Sequence, residues 1–399
     1  MNLKPAQNSK WIQRRTASLS ASRVTRALRE IGPQVLSFSL PASIGVLIGV
    51  YFNVAWEYDA ATRAQQASLI AQLGAHWYFF QGFGQGYYVW LPLWQLLLAG
   101  IYLLTRVNTT LIGIVVSATS LGLISLITVS ALKKAGFDKR RQALGAGLLL
   151  TSGYLVAYSS QGMTDVFSAM LLLGSVYCLF LWLESHSSRY LAVASLLTLL
   201  NVMTRYEAWL FLAITLLYAF YLFVRMKTSL RRLAEIIAYA IPSALFILVW
   251  LYYNELVSGS YFGFANWITQ SVSQNPPTFV HNPVLTLANL AEVLLLSNGL
   301  FWLALADVRH REAITPVVKF ATILFAVYTV FFLYSTYLGF SNGWVRLYLY
   351  FVPFSVVSFM SKNYKRDVFY LILGISVVLG VIGFSENVVL HQFASSGSP

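Results

Sequence analysis

The sequence predicts an all-α fold, a polytopic bundle of membrane-spanning helices, and three observations carry that prediction. Of its 399 residues 58% are hydrophobic and 10% charged, against about 45–50% and about 25% in an average soluble domain. Apolar runs recur along the whole chain at a length that suits a bilayer: about 20 residues at about 1.5 Å each cross a core of about 30 Å. Lys and Arg, 27 against 14 acids, fall in short clusters between those runs instead of on one basic face, which argues for membrane orientation and against nucleic-acid binding. Cys178 is the one cysteine, so an intrachain disulfide and a Cys-rich metal site are both excluded.

Taken in order, residues 1–33 are a basic arm with Lys4, Lys10, Arg14, Arg15, Arg23, Arg26 and Arg29 against the single acid Glu30. The positive-inside rule places it in the cytoplasm, and it is too basic and too far from an apolar core for a cleavable signal peptide. Residues 34–384 form the transmembrane domain. Eleven spans are predicted near 34–55, 110–131, 143–159, 166–183, 190–204, 208–224, 234–253, 284–303, 314–337, 345–361 and 368–384. The first outer loop, 56–109, carries juxtamembrane helices, the second large outer segment is 254–283, and 385–399 is an outer tail.

A further apolar stretch, 88–104, decides the topology. If it crossed, the basic residues Lys133, Lys134, Lys139, Arg140 and Arg141 would lie outside and every later loop would invert. If it lies on or dips into the outer surface, 22 of the 27 basic residues fall in cytoplasmic loops, and Arg63, Arg106, Arg205 and Arg346 are the arginines left outside. The second arrangement obeys the positive-inside rule. Trp90, Pro92, Trp94 and Gln95, which interrupt the run, suit an interfacial helix.

The same topology puts Glu57, Asp59, Asp165, Glu207, Glu255 and Glu386 on the outer side. Four of these acids, with Arg205 and Arg346, sit at span ends, where an ionisable side chain is costly unless paired or wet and is a functional candidate by default. The stretch WEYDAATRAQQASLIAQL reads as an amphipathic helix flat on the membrane, started by Asp59 near its positive end. Within 254–283, Tyr261, Phe262, Phe264, Trp267 and Phe279 form either an aromatic lid or an interfacial belt.

These residues carry a resemblance. An acid after the first span, a second acid in SSQGMTDVFSAML, the string TRYEAW between two spans, and an Arg leading a late span in NGWVRLYLYFVPF occur in that order in membrane glycosyltransferases of the GT-C superfamily. The chain looks most like the protein-mannosyltransferase and aminoarabinose-transferase branch, over roughly residues 34–361. The resemblance implies a GT-C-like bundle and an inverting transferase that takes a monosaccharide from a polyprenyl (dolichyl or undecaprenyl) phosphate to a glycan, lipid or protein acceptor on the outer face. By it Asp59 stands at the essential first-loop acid and Asp165 at the second acidic position. Members often have adjacent Asp-Glu in the first loop, whereas here Tyr58 separates Glu57 from Asp59, so the base is either of these two.

The residues alone point to compatible chemistry. A transferase outside the cytoplasm needs a membrane-borne donor, a cation for its phosphate and a base for the acceptor hydroxyl. Arg205, Arg346 and Arg63 are the candidate phosphate ligands, because a guanidinium holds two oxygens at once. Glu207, Tyr58, Trp267 and His76 are candidate contacts to sugar or acceptor. A lipid phosphate is a fair leaving group, so no cofactor is required, and a divalent metal remains compatible with the acids. The alternatives are a transporter or flippase of lipid-linked sugar, which would place its charges near mid-membrane along a path, and a membrane glycan polymerase or ligase. Gly82, Gly84 and Gly86 lack the strand-helix unit of a dinucleotide site, and the five histidines are too dispersed for a motif-built metal site.

The charge census yields a direct test. A cysteine placed at position 136 is expected to resist a membrane-impermeant thiol reagent in intact cells; labelling there would mean that 88–104 crosses the membrane.

Overall fold

The computed structural model describes residues 33–51, 58–80, 89–226, 230–274, 276–306, 315–341, 345–362 and 364–386. It is 85% helix, with no strand among the described residues. The predicted basic arm before residue 33, the tail after residue 386 and Glu57 lie outside the described residues.

Helix α1 is Pro33–Tyr51. Then come α2 (Tyr58–Leu73), α3 (Ala75–Phe80), α4 (Leu93–Thr105), α5 (Thr109–Lys134), α6 (Lys139–Leu149), α7 (Gly153–Ser160), α8 (Thr164–Ser185) and α9 (Ser188–Val202). They are followed by α10 (Glu207–Met226), α11 (Leu230–Ser258), α12 (Gly263–Gln274), α13 (Pro283–Asn298), α14 (Leu303–Ala306) and α15 (Thr315–Tyr337). A 3₁₀ helix (Val345–Phe351) leads into α16 (Val352–Met360), and α17 (Arg366–Ser385) closes the order.

The chain is a polytopic helical bundle, but the count of eleven spans is not met. Among the described residues six helices are long and apolar enough to cross a membrane: α1, α5, α8, α11, α17 and, over Val317–Tyr337, α15. The pair α6 and α7, bent by 67°, makes at most a seventh. The remaining apolar runs are helical but short, because apolar length does not guarantee an unbroken helix. In the run 143–159, Thr151 and Ser152 interrupt: the Thr151 hydroxyl donates to the Leu148 carbonyl at 2.7 Å and the Ser152 hydroxyl to the Ser297 carbonyl, a competition with the helix ladder typical of these residues. The run 284–303 ends its helix at Gly299, which has a positive φ of 57°, a conformation open to glycine. In 345–361 the first seven residues wind as 3₁₀, longer than the usual three or four of that form.

Helix α4 has 13 residues, about 20 Å, well short of a hydrocarbon core of about 30 Å. It stops at Arg106 in the left-handed region, and Asn108 caps α5 by accepting from the Thr110 amide at 2.8 Å, a side-chain cap of the usual kind. Helix α2 packs an inward stripe that includes polar side chains against α4 and α5.

The main core fills the space among α5, α8, α13, α15, α16 and the 3₁₀ helix. Its centre is aromatic: Tyr348 meets Tyr328 at 5.5 Å and Phe332 at 5.0 Å, and Phe211 meets Tyr350 at 5.1 Å, all edge-on or tilted, the geometry that aromatic quadrupoles favour. Elsewhere glycines let backbones touch. A Cβ on Gly153 would collide with the Gly380 carbonyl, and one on Gly380 with the Thr151 carbonyl, so α7 and α17 cross at the small-residue contact that membrane helices favour.

That crossing is testable. Gly380→Ala should destabilise the protein by about 1–3 kcal/mol, the usual cost of overpacking. Gly374→Ala, in the same helix with nothing within 4 Å of its Cβ position, should be neutral or slightly stabilising. Thermal unfolding of the two variants in detergent checks the contrast; equal melting temperatures would remove the close crossing.

Candidate functional site

Residues 59, 63 and 66 of α2 lie at i, i+4 and i+7, a spacing that sets them on one face of a helix. Arg63 and Gln66 are buried and Asp59 is half-buried. The Gln95 side-chain amide of α4 donates to the Gln66 side-chain oxygen Oε1 at 3.1 Å, which joins the two helices. Arg63 has the Trp90 ring 5.2 Å from its guanidinium carbon, within cation–π range, and the Tyr78 hydroxyl secures that segment by donating to the Trp90 carbonyl at 2.9 Å. Arg63 Nε and Nη1 are sealed without hydrogen-bond partners.

Three other segments meet this face. Asp165 sits in the first turn of α8 and is fully buried; that start is fixed to α5 by the Ser117 hydroxyl, which donates to the Met163 carbonyl at 2.5 Å. Arg205 lies in the turn between α9 and α10, and Glu207 begins α10. Arg346 opens the 3₁₀ helix above the aromatic core.

Their charges interlock. Arg346 Nη1 stands 2.6 Å from Asp59 Oδ2. Arg205 uses its whole fork on acids: Nε donates to Glu207 Oε2 at 3.1 Å, Nη2 to Glu207 Oε1 at 2.8 Å, and Nη1 lies 3.4 Å from Asp165 Oδ1. The bidentate pair forms between residues i and i+2, which do not face each other on a helix; here the turn at 203–206 brings them together. Three guanidinium groups and three carboxylates thus share one buried region with formal charges in balance.

Burial works against the Asp59 charge, but Arg346 first, then Arg63 and Arg205, outweigh it and hold the carboxyl below its ordinary pKa. For Arg63 burial dominates and pulls the guanidinium down to about 10 despite Asp59, so it remains a cation at neutral pH.

Of the sequence candidates, Asp59, Asp165, Arg63, Arg205, Glu207 and Arg346 come together. His76 and Trp267 are exposed and not among them, and the fourth outer arginine, Arg106, is also exposed. For Tyr58 the backbone at the start of α2 is described and its side chain is not; Glu57 lies outside the described residues. Among the described residues no group of three or more His, Cys, Asp or Glu is placed to hold a metal ion. Sequence reasoning missed Gln66, although its i+3 spacing from Arg63 was readable, and Tyr206, whose ring lies 3.9 Å from Phe264. In comparisons with known proteins, neither a family model nor a curated relative matches the chain.

The Arg346–Asp59 pair has a pH signature. Because the folded pKa of Asp59 is depressed, its stabilisation is present above the unfolded value of about 3.9 and is lost as pH falls through the lower folded value. Arg346→Gln leaves the half-buried carboxylate without its main partner. Stability at pH 7 should fall by about 3 kcal/mol, the lower end for a broken buried pair because Asp59 keeps 17% side-chain exposure. The part of the acid-induced loss that Asp59 contributes should also shrink, because without Arg346 its folded pKa moves back up toward the unfolded value. Unfolding measured from pH 3 to 8 checks both, and an unchanged acid limb would show that Asp59 does not depend on Arg346.

Proposed function

We propose that the chain is an inverting glycosyltransferase that uses a polyprenyl-phosphate-linked sugar and works on the extracytoplasmic side of the membrane. The observation that carries this reading is the convergence of Arg63, Arg205 and Arg346 with Asp59 and Asp165 at one buried place. Buried charges are expensive, and apolar replacements of similar volume are often neutral or stabilising. A cluster of six is therefore better explained by chemistry than by stability.

In the reaction the acceptor hydroxyl oxygen attacks the sugar C1 from the face opposite the phosphate. The C1–O bond to phosphate breaks with its electron pair on the leaving oxygen, and the hydroxyl proton passes to Asp59. The products are an inverted glycoside and the polyprenyl phosphate, whose charge the arginines bear. In the empty cluster Asp59 is occupied by Arg346. Donor phosphate competes for that guanidinium, adds negative charge and raises the proton affinity of Asp59, so the carboxylate becomes a competent base when the donor is present. Asp165 and Glu207 hold Arg205 in place.

Against a transporter stands the position of the charges. Asp59, Asp165 and Glu207 each occupy a helix first turn and Arg346 lies in the first turn of the 3₁₀ helix, in keeping with the span-end positions expected from the sequence, whereas a translocation path is expected to carry ionisable groups near mid-membrane.

Two sets of variants test the proposal with purified protein, polyprenyl-phosphate sugars and candidate acceptors. Asp59→Asn should lower transfer about 100- to 10,000-fold, the usual loss with a general base, while donor still binds. Arg346→Lys and Arg205→Lys should weaken donor binding, because an ammonium offers a point charge where the fork held two oxygens. Native-like turnover by Asp59→Asn moves the base to Glu57 or ends the mechanism, and normal donor binding by both arginine variants ends the phosphate assignment.

A further inference from the structure

The turn that carries Arg205 and Glu207 is not self-supporting. Its Met203 carbonyl accepts from the Leu93 amide at the start of α4, 3.1 Å away. Trp209, one turn into α10, donates its indole N–H to the Val202 carbonyl at 3.0 Å. Between Arg205 and Glu207, the Tyr206 hydroxyl accepts from the Trp250 indole of α11 at 2.9 Å. The remaining face of Tyr206 is covered by Phe264, with ring centroids 3.9 Å apart and planes 7° from parallel. Phe264 also meets Trp209 edge-on at 5.7 Å.

Phe264 belongs to α12, in the segment between α11 and α13. Around it Tyr261, Phe262 and Trp267 are exposed, whereas Phe264 stacks on the turn between Arg205 and Glu207. A flat aromatic contact restricts rotation of the ring beneath it, and Tyr206 is the residue whose backbone links Arg205 to Glu207.

We infer that Phe264 is a positioning residue: by stacking on Tyr206 it fixes the 203–207 turn, and so holds the Arg205 fork on Glu207 and Asp165. The role belongs to the chain itself. Only its consequence for binding an anionic donor rests on the proposed function.

The test uses the full chain in lipid nanodiscs and reads the arginine directly. Phenylglyoxal labelling of Arg205, followed by mass spectrometry, should be slow in the native protein and about 3- to 10-fold faster in Phe264→Ala, the range that an aromatic pair energy sets. Phe264→Tyr should restore the native rate, and Arg346 should label alike in all three. An unchanged Arg205 rate in Phe264→Ala overturns the inference. An equal rise at Arg346 also overturns it, since Phe264 would then hold the fold at large.

A second arm measures binding of undecaprenyl phosphate in the same discs. Weaker binding by Phe264→Ala, with no further loss when it is added to Arg205→Gln, supports action through Arg205; additive losses count against it. Failure of the native protein to bind this lipid overturns the proposed donor and leaves the inference to be decided by the labelling result.

Discussion

Charged side chains can leave water together only when opposite charges or other compensating contacts go with them, and that constraint organises this part of the molecule. Taking a charge from water costs several kcal/mol even after relaxation, so the segments that bear Asp59, Asp165, Arg205, Glu207 and Arg346 cannot be placed independently. Arg205 needs two acids from two different helices, which fixes the start of α8 against the start of α10. Arg346 needs Asp59, which fixes α2 against the 3₁₀ helix. The local irregularities follow. A continuous helix through 203–207 would turn Arg205 and Glu207 apart, and the 3₁₀ winding of 345–351 seats Tyr348, Tyr350 and Phe351 in the core while Arg346 meets the acid.

The pairing is also unequal. Arg205 holds two acids and Arg346 one, whereas Arg63 rests on the Trp90 ring with Nε and Nη1 unsatisfied. A phosphate arriving in this balanced set makes negative charge exceed positive, and the groups with the weakest hold on a guanidinium respond first. Asp59 pairs with Arg346 at 2.6 Å and is partly exposed, Asp165 is fully buried with Arg205 3.4 Å away, and Glu207 is held by two hydrogen bonds. Of the three acids Asp59 is the one that combines partial exposure with a contact to an arginine expected to bind the donor, and the proposed mechanism gives it the proton.

Much of this was legible from the sequence for a definite reason: charges are rare here, so each one stands out. Asp59, Asp165, Arg205 and Arg346 were singled out by their places at the ends of apolar runs. What the sequence concealed was continuity and partnership. Apolar composition is the same on either side of Thr151 and Ser152, yet the backbone bends between α6 and α7, so counting runs gave eleven spans where, among the described residues, six or seven helices have the length. The polar inward stripe of α2 was hidden by the alanines and glutamines around it, which read as a surface helix. Arg205 and Glu207 are two residues apart, and only the turn between α9 and α10 makes them partners. Phe264 could not be told from the other aromatics of its segment, because stacking on Tyr206 depends on how α12 folds back.

The acids share one more feature that composition does not announce. Asp59, Asp165 and Glu207 each lie in the first turn of a helix, so three positive helix ends are directed toward the region that already holds three arginines. Unpaired N–H groups and the macrodipole favour negative charge there by about 0.3–1 kcal/mol for each helix at exposed sites, and more where buried. In the empty cluster the chain's own carboxylates satisfy that field. A bound anion would meet the same field. The carboxylates thus serve as internal counter-ions to the three arginines, a balance that the proposed donor phosphate would have to share.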